Sequence, residues 1–208
     1  MRILIADDHS VVRKGLKQIL IEEFPAAEIE DVPDAEEMIK KVMNANWDVV
    51  ISDMSMPGRS GLDALQQIKQ IYPDLPVLIL SIHPEEHYAL RVLKAGASGY
   101  LSKGSASEEL VKAVQTVLLG KKYISAAVAE KLATSFSSDS SKPAHELLSD
   151  REFDVMKLLA AGKSVSDIAE ILSLSVTTIS TYRARIMTKM NMKTNSDLTK
   201  YAIESNLI

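Results

Sequence analysis

The chain is predicted to fold as a doubly wound α/β domain followed by a small all-α domain, and three observations carry that prediction. Short apolar runs alternate with helix-length amphipathic stretches up to about residue 118. A serine-rich run, Ser135-Phe136-Ser137-Ser138-Asp139-Ser140-Ser141-Lys142-Pro143, then breaks the pattern, as a flexible linker does. Beyond it the strand signal disappears and only helical spacing persists. Alternating strands and helices imply a parallel sheet covered on both faces, and a flavodoxin-like strand order is expected.

Strands are expected near 2–7, 28–32, 48–53, 76–81 and 98–102. Ile3-Leu4-Ile5-Ala6, Val49-Val50-Ile51, Val77-Leu78-Ile79-Leu80 and Tyr100-Leu101 are unbroken apolar runs, the pattern of strands buried on both faces. Helices are expected near 10–23, 34–45, 61–71, 85–95 and 105–118, with a further one over about 125–135 before the linker. Four more follow, near 149–161, 165–172, 176–190 and 194–205. Each opens on a capping residue: Ser149, which forms a capping box with Glu152, then Ser164, Ser175 and Thr194. The expected division is a domain over 1–120, a linking segment over 121–146 and a second domain over 147–208.

Composition narrows the function classes. Of 208 residues, 46% are hydrophobic and 25% charged, as in ordinary globular protein. No apolar stretch approaches the roughly 20 residues of a membrane span, and Met1-Arg2-Ile3 runs directly into a strand, which leaves no room for a signal peptide. A cytoplasmic protein without membrane contact is expected. The absence of cysteine excludes disulfides, cysteine-type zinc fingers and thiol catalysis. A net charge of −4 argues against nucleic acid at first sight, but Arg183, Arg185, Lys189 and Lys193 fall in one stretch with no acidic residue between them. That stretch is a local basic patch.

Five polar residues stand at the ends of the apolar runs: Asp7, Asp8, Asp53, Ser81 and Lys103. In open α/β sheets the functional crevice lies beyond the carboxyl ends of the strands, so these groups should converge. Alone, an Asp-Asp pair after a strand is most often a helix cap. Three clustered carboxylates repel one another unless a cation neutralises them, and Mg²⁺ suits such a set because it takes one or two carboxylates together with waters and phosphate oxygens. One carboxylate is then placed to attack phosphorus, with Lys103 and Ser81 holding phosphoryl oxygens. The constellation reads as a phosphoryl acceptor.

The motifs Ala6-Asp7-Asp8-His9, Ser52-Asp53-Met54-Ser55-Met56-Pro57-Gly58, Leu80-Ser81 and Gly99-Tyr100-Leu101-Ser102-Lys103 resemble the receiver domain of bacterial two-component response regulators. The resemblance implies that Asp53 is the phosphoacceptor and that Asp7 and Asp8 are Mg²⁺ carboxylates. It also implies that Ser55 lends the metal a backbone carbonyl, that Ser81 and Tyr100 form the conformational switch, and that Lys103 is the essential lysine. One position departs from many receivers, in which a cis-proline follows the lysine; Gly104 stands here. His9 and His83 lie near the site; His83, two places beyond Ser81, is read either as a solvated loop histidine, the favoured reading, or as a shade between the phosphoryl group and attacking water. Trp47 and the methionines are read as packing residues.

In the second half, the helices at 165–172 and 176–190, joined by Ser173-Leu174-Ser175, have the proportions of a helix-turn-helix. Helical spacing places Val176, Ile179, Ile186 and Met190 toward the core, and Thr177, Ser180, Thr181, Ala184 and Thr188 on the opposite face. Those residues are small enough to let the helix enter a major groove, and Arg183, Arg185 and Lys189 flank them.

Leu148-Ser149-Asp150-Arg151-Glu152, Ala161-Gly162-Lys163-Ser164, Ile168-Ala169, Leu172 and Ser175-Val176-Thr177-Thr178-Ile179 resemble the LuxR-type helix-turn-helix. Joined to a receiver, it is similar to the NarL-type response regulators. The resemblance implies DNA contact by Thr177, Thr178, Ser180, Thr181, Tyr182, Ala184, Arg185 and Lys189. Tyr182 stands where histidine is most common, and Asn195 where arginine is common.

These readings together predict a non-enzymatic transcriptional regulator. A sensor histidine kinase passes a phosphoryl group to Asp53 in an Mg²⁺-dependent step, and the chain then dimerises to bind two half-sites of promoter DNA. Two other classes compete. A phosphohydrolase also uses an aspartyl nucleophile with Mg²⁺, but the chain supplies no second general acid. A phosphorylation-independent regulator would use the receiver only to dimerise, although the acidic set such proteins usually lack in part is intact here.

Overall fold

The computed structural model describes residues 1–104, 107–125, 128–130 and 143–208. They fall into two compact units, Met1–Ser137 and Ser138–Ile208. The first is a five-stranded parallel sheet in the order β2-β1-β3-β4-β5, built from β1 (Arg2–Ala6), β2 (Glu28–Val32), β3 (Val49–Asp53), β4 (Val77–Ser81) and β5 (Gly99–Ser102). This is the flavodoxin-like order, in which the chain reverses direction between β1 and β3 and opens a crevice there.

The helices are α1 (Ser10–Glu23), α2 (Ala35–Asn44), α3 (Gly61–Ile71), α4 (Glu85–Lys94) and α5 (Ser107–Leu118). Leu20 of α1 and Leu110, Ala113, Val114 and Val117 of α5 pack with Ile3, Ile5, Val49, Ile51, Leu78 and Leu101. The alternate residues Leu4, Val50 and Ile79 are equally buried and point to the other face, so both faces are covered. That double burial explains why each strand reads as an unbroken apolar run. Trp47 is a packing residue as expected, its indole N–H donating to Lys41 O at 3.1 Å beneath the Arg2 guanidinium, 4.5 Å from the ring.

The expected helix over 125–135 is described only in part. Residues 128–130 are helical, with Ser125 Oγ accepting from Val128 N–H at 3.2 Å. The serine-rich run lies outside the described residues except for Pro143.

The second unit contains a short 3₁₀ turn, Ala144–Leu147, then α6 (Asp150–Ala160), α7 (Val165–Ile171), α8 (Val176–Met190) and α9 (Asn195–Glu204). Capping boxes open α6, α7 and α9, at Ser149 with Glu152, Ser164 with Asp167, and Thr194 with Asp197. Phe153, Met156, Leu159, Ile168, Ile179, Ile186, Leu198 and Ala202 form the core. Val176, expected in that core, is 51% exposed. Helical side chains lean toward the N-terminus and cover the turn before their own. At the first residue of α8 there is no such turn, so the side chain projects past the helix end.

Candidate functional site

The carboxyl ends of β1, β3 and β5 bring three of the five predicted polar residues into direct contact. Lys103, one residue past β5, places its ammonium 2.7 Å from Asp7 Oδ2 and 2.8 Å from Asp53 Oδ2. Asp7 and Asp53 are buried. Burial pushes the Asp53 carboxyl above its ordinary value and the Asp7 charge adds to that, against the pull of Lys103. Burial alone would lower Lys103, but the two carboxylates outweigh it and raise the ammonium's pKa.

Neither aspartate of the pair caps α1. The N-cap is His9, which makes no side-chain cap bond, while Asp7 Oδ1 accepts from His9 N–H at 2.8 Å and Arg13 Nη1 donates to Asp7 O at 2.5 Å. Asp8 Oδ1 lies 2.7 Å from His9 Nδ1. Asp7 Oδ2 and Asp8 Oδ1 are buried with neighbours at ion-pair range but no hydrogen-bond partner among the described residues. One ligand atom each from Asp7, Asp8, His9 and Asp53 lies within 4.8 Å of the others. Three clustered carboxylates, two of them with a buried oxygen lacking a hydrogen bond among the described residues, fit a hard divalent ion such as Mg²⁺.

Ser55 sits over Asp53, its N–H donating to Asp53 Oδ1 at 3.3 Å. Its Oγ lies 3.4 Å from His83 Nε2. Ser81, the last residue of β4, is fully buried and its Oγ accepts from His83 N–H at 3.0 Å. Tyr100 is 4% exposed and donates its hydroxyl to His83 O at 2.7 Å. Both predicted switch residues therefore hold the backbone of His83. The ring of His83 stacks on Tyr88 at 4.8 Å, so this histidine is packed rather than a solvated loop residue.

Gly61 was not singled out by sequence reasoning. A Cβ there would lie 1.8 Å from Asp53 O, so only glycine lets α3 start this close to the strand end that carries Asp53. Its N–H also bonds Met54 O at 3.0 Å. The signal in the sequence was the Ser60-Gly61 pair at the head of a helical run, with Ser60 as N-cap. Any larger residue here is expected to shift the Asp53 backbone, which a drop in melting temperature of a Gly61→Ala variant would register.

In the second unit, Thr177, Ser180, Thr181, Ala184, Arg185 and Thr188 are exposed on α8. Arg185 and Tyr182 have no hydrogen bond or ion pair among the described residues. Thr178 does not join the exposed stripe: it is half-buried and its Oγ1 lies 2.7 Å from the N-cap Ser175 Oγ. Arg183 Nε donates to Asn195 Oδ1 at 3.0 Å. Lys189 is 2.6 Å from Glu152 Oε2, which also accepts Ser149 N–H at 2.7 Å. Burial would raise the Glu152 carboxyl, but Lys189 and Ser149 outweigh it and hold the pKa below 4.5. Lys189, expected to meet a phosphate, here makes a bond that ties the C-terminal end of α8 to the start of α6. Helical spacing shows which face a lysine occupies but not which acid lies opposite it.

Residues 3–115 match the family described as response regulator receiver domain, and residues 146–202 match the bacterial regulatory proteins of the luxR family. The chain is 38% identical to the oxygen regulatory protein NreC of Staphylococcus epidermidis, over 100% of this chain and 99% of the relative. It is 35% identical to the response regulator UvrY of Escherichia coli K12, over 100% of this chain and 95% of that one. Among solved structures it is similar to RcsB of Salmonella enterica serovar Typhimurium bound to a promoter in the presence of the phosphomimetic BeF₃⁻, at 27% identity and a TM-score of 0.62, covering 97% of this chain and 98% of that chain. With a receiver sheet, a LuxR-type helix-turn-helix and full-length relatives of this kind, the chain belongs to the NarL family of DNA-binding response regulators, which are transcriptional regulators and not enzymes.

Proposed function

We propose that the chain is switched by phosphorylation of Asp53 and that the switch controls promoter binding. The observation that carries this reading is the Lys103 ammonium set between Asp53 and Asp7 at 2.8 and 2.7 Å, beside the buried Asp7 and Asp8 oxygens that lack hydrogen-bond partners among the described residues. Asp53 Oδ attacks the phosphorus of a phosphohistidine on a sensor kinase; the O–P bond forms as the P–N bond breaks, and the departing imidazole nitrogen takes a proton. Asp7, Asp8, Asp53 and the Ser55 carbonyl would hold Mg²⁺, which would supply the positive charge that lets one anion approach another. Lys103 exchanges a carboxylate partner for a phosphoryl oxygen, and Ser81 turns its hydroxyl from His83 N–H to another. Residues 1–120 receive the signal in the cytoplasm, 121–146 link, and 147–208 bind DNA. RcsB has been solved as a DNA complex, which supports the same output here.

Labelled acetyl phosphate supplies the test. Label is expected on the wild-type chain with Mg²⁺ and not with excess chelator, and Asp8→Ala is expected to raise the Mg²⁺ concentration required. Labelling that ignores chelator sinks the metal assignment.

For the DNA face, Arg185 is proposed to contact phosphate and Lys189 to position α8. Arg185→Ala should then lower the salt slope of binding by about one unit. Lys189→Ala should weaken binding to all duplexes with the slope unchanged; a lower slope would return Lys189 to the phosphate backbone.

One observation favours a second reading. Tyr100 is already buried, with its hydroxyl on His83 O. A receiver with its aromatic switch residue already inside is suited to dimerise without a phosphoryl group.

A further inference from the structure

The exposed stripe of α8 carries an unusual chemistry for a DNA-reading face. Thr177, Thr181, Ala184 and Thr188 are spaced four, three and four residues apart, so they stack along one side of the helix. Two of the hydroxyls are engaged within the helix itself: Thr181 Oγ1 donates to Thr177 O at 3.0 Å, and Thr188 Oγ1 donates to Ala184 O at 3.0 Å. A threonine whose hydroxyl is folded onto the carbonyl one turn back is left with its methyl as the projecting group. Ala184 lies between the two and is exposed, adding a third methyl to the row.

Two of the three flanking cations are drawn away from that row, and the third, Arg185, stands beside it, where it is proposed to meet phosphate. Arg183 is bonded to Asn195 and Lys189 to Glu152. Guanine is read by bidentate Arg or Lys and adenine by bidentate Asn or Gln, whereas thymine offers the major groove a C5-methyl group that apolar contacts recognise. The stripe holds no arginine, lysine, asparagine or glutamine. Thr181 and Ala184 occupy the middle of α8 (Val176–Met190), with Thr177 in its first turn, the part of a recognition helix that meets base edges, and Thr188 at its far end.

We infer that α8 selects its half-site by thymine methyl groups, with Thr181 and Ala184 as the specificity-determining residues. The inference rests on α8 being the helix that enters the major groove. Ser180 and Thr177, exposed on the same helix, are placed to donate to the thymine O4 that accompanies each methyl.

The test uses the full-length chain with Mg²⁺ and beryllium trifluoride to retain sequences from a random duplex pool. The recovered operator is then resynthesised with deoxyuridine at each thymine in turn, which removes the methyl and leaves every hydrogen-bonding edge intact. One or two thymines per half-site are expected to lose about fourfold in affinity on that change, the effect of one buried methyl. Thr181→Val keeps the methyl and discards the hydroxyl, so it should preserve the discrimination. Thr181→Ser keeps the hydroxyl and discards the methyl, so it should abolish discrimination at one position. The site is exposed, so neither variant should fail to fold. Sequence-selective binding indifferent to deoxyuridine everywhere would overturn the inference alone, as would discrimination lost in Thr181→Val and kept in Thr181→Ser. Enrichment of no sequence at all would overturn the reading of α8 as a groove-entering helix along with it.

Discussion

Asp53→Asn is expected to reduce covalent labelling by a phosphodonor to background, because an amide is no nucleophile and brings no charge to a divalent ion. The same change should raise the melting temperature of the metal-free protein. Asp53 carries a carboxyl whose pKa is raised first by burial and then by Asp7, so its ionised form is disfavoured in the folded chain. A group with a raised folded pKa lends stability below its unfolded value, and that stability is lost as pH rises through the folded one. At neutral pH the asparagine therefore removes a penalty. Mg²⁺ should reverse the order by stabilising wild type more than the variant. Label remaining on Asp53→Asn at the wild-type level would overturn the phosphoacceptor assignment, and an unchanged melting temperature would show that Lys103 already neutralises the cluster.

Glu152→Gln carries the largest expected effect on the second unit. It removes the charge that pairs with Lys189 and weakens the cap on Ser149 N–H. Breaking a fully buried pair costs about 3–5 kcal/mol; Lys189 is 41% exposed, so a loss of about 2 kcal/mol is expected here. Its carboxyl is held low by Lys189 and Ser149 against the effect of burial. A group with a lowered folded pKa contributes stability above its unfolded value and loses it as pH falls through the folded one. Calorimetry of the wild-type chain should show the second transition moving down as pH falls below 4.5, and the variant should lack that dependence. A variant that retained it would place the titration elsewhere.

The strand ends were legible because a strand buried on both faces reads as an apolar run, so the polar residues that follow each run mark the carboxyl edge of the sheet. Asp7, Asp53 and Lys103 each lie within two residues of the end of such a run, and their contact follows from the order β2-β1-β3-β4-β5. The helix starts were legible for a different reason, since Ser149, Ser164, Ser175 and Thr194 each satisfy backbone N–H groups within three residues. What escaped the sequence depends on contacts between distant segments or on where an element stops. Glu152 meets Lys189 across 37 positions. His83 owes its packing to Tyr88 and Tyr100, not to its loop composition. Val176 satisfies the helical period and is still exposed, because the period does not say that the helix begins there. Gly61 owes its necessity to the carbonyl of Asp53, which no local pattern records.

Phosphorylation of the first unit is proposed to act on DNA binding by the second through dimerisation, and the number of half-sites on the duplex separates that route from unmasking within one chain. The affinity of the full-length chain is measured with and without beryllium trifluoride, in Mg²⁺, on a duplex with two half-sites and on one with a single half-site. The account predicts that the phosphoryl mimic tightens binding to the two-site duplex by about tenfold or more, within the usual range of coupling between sites, and leaves the single site nearly unchanged. Equal tightening on both duplexes would contradict control through dimerisation. No change on either would contradict phosphorylation control and favour a receiver whose buried Tyr100 already holds it in the dimerising state.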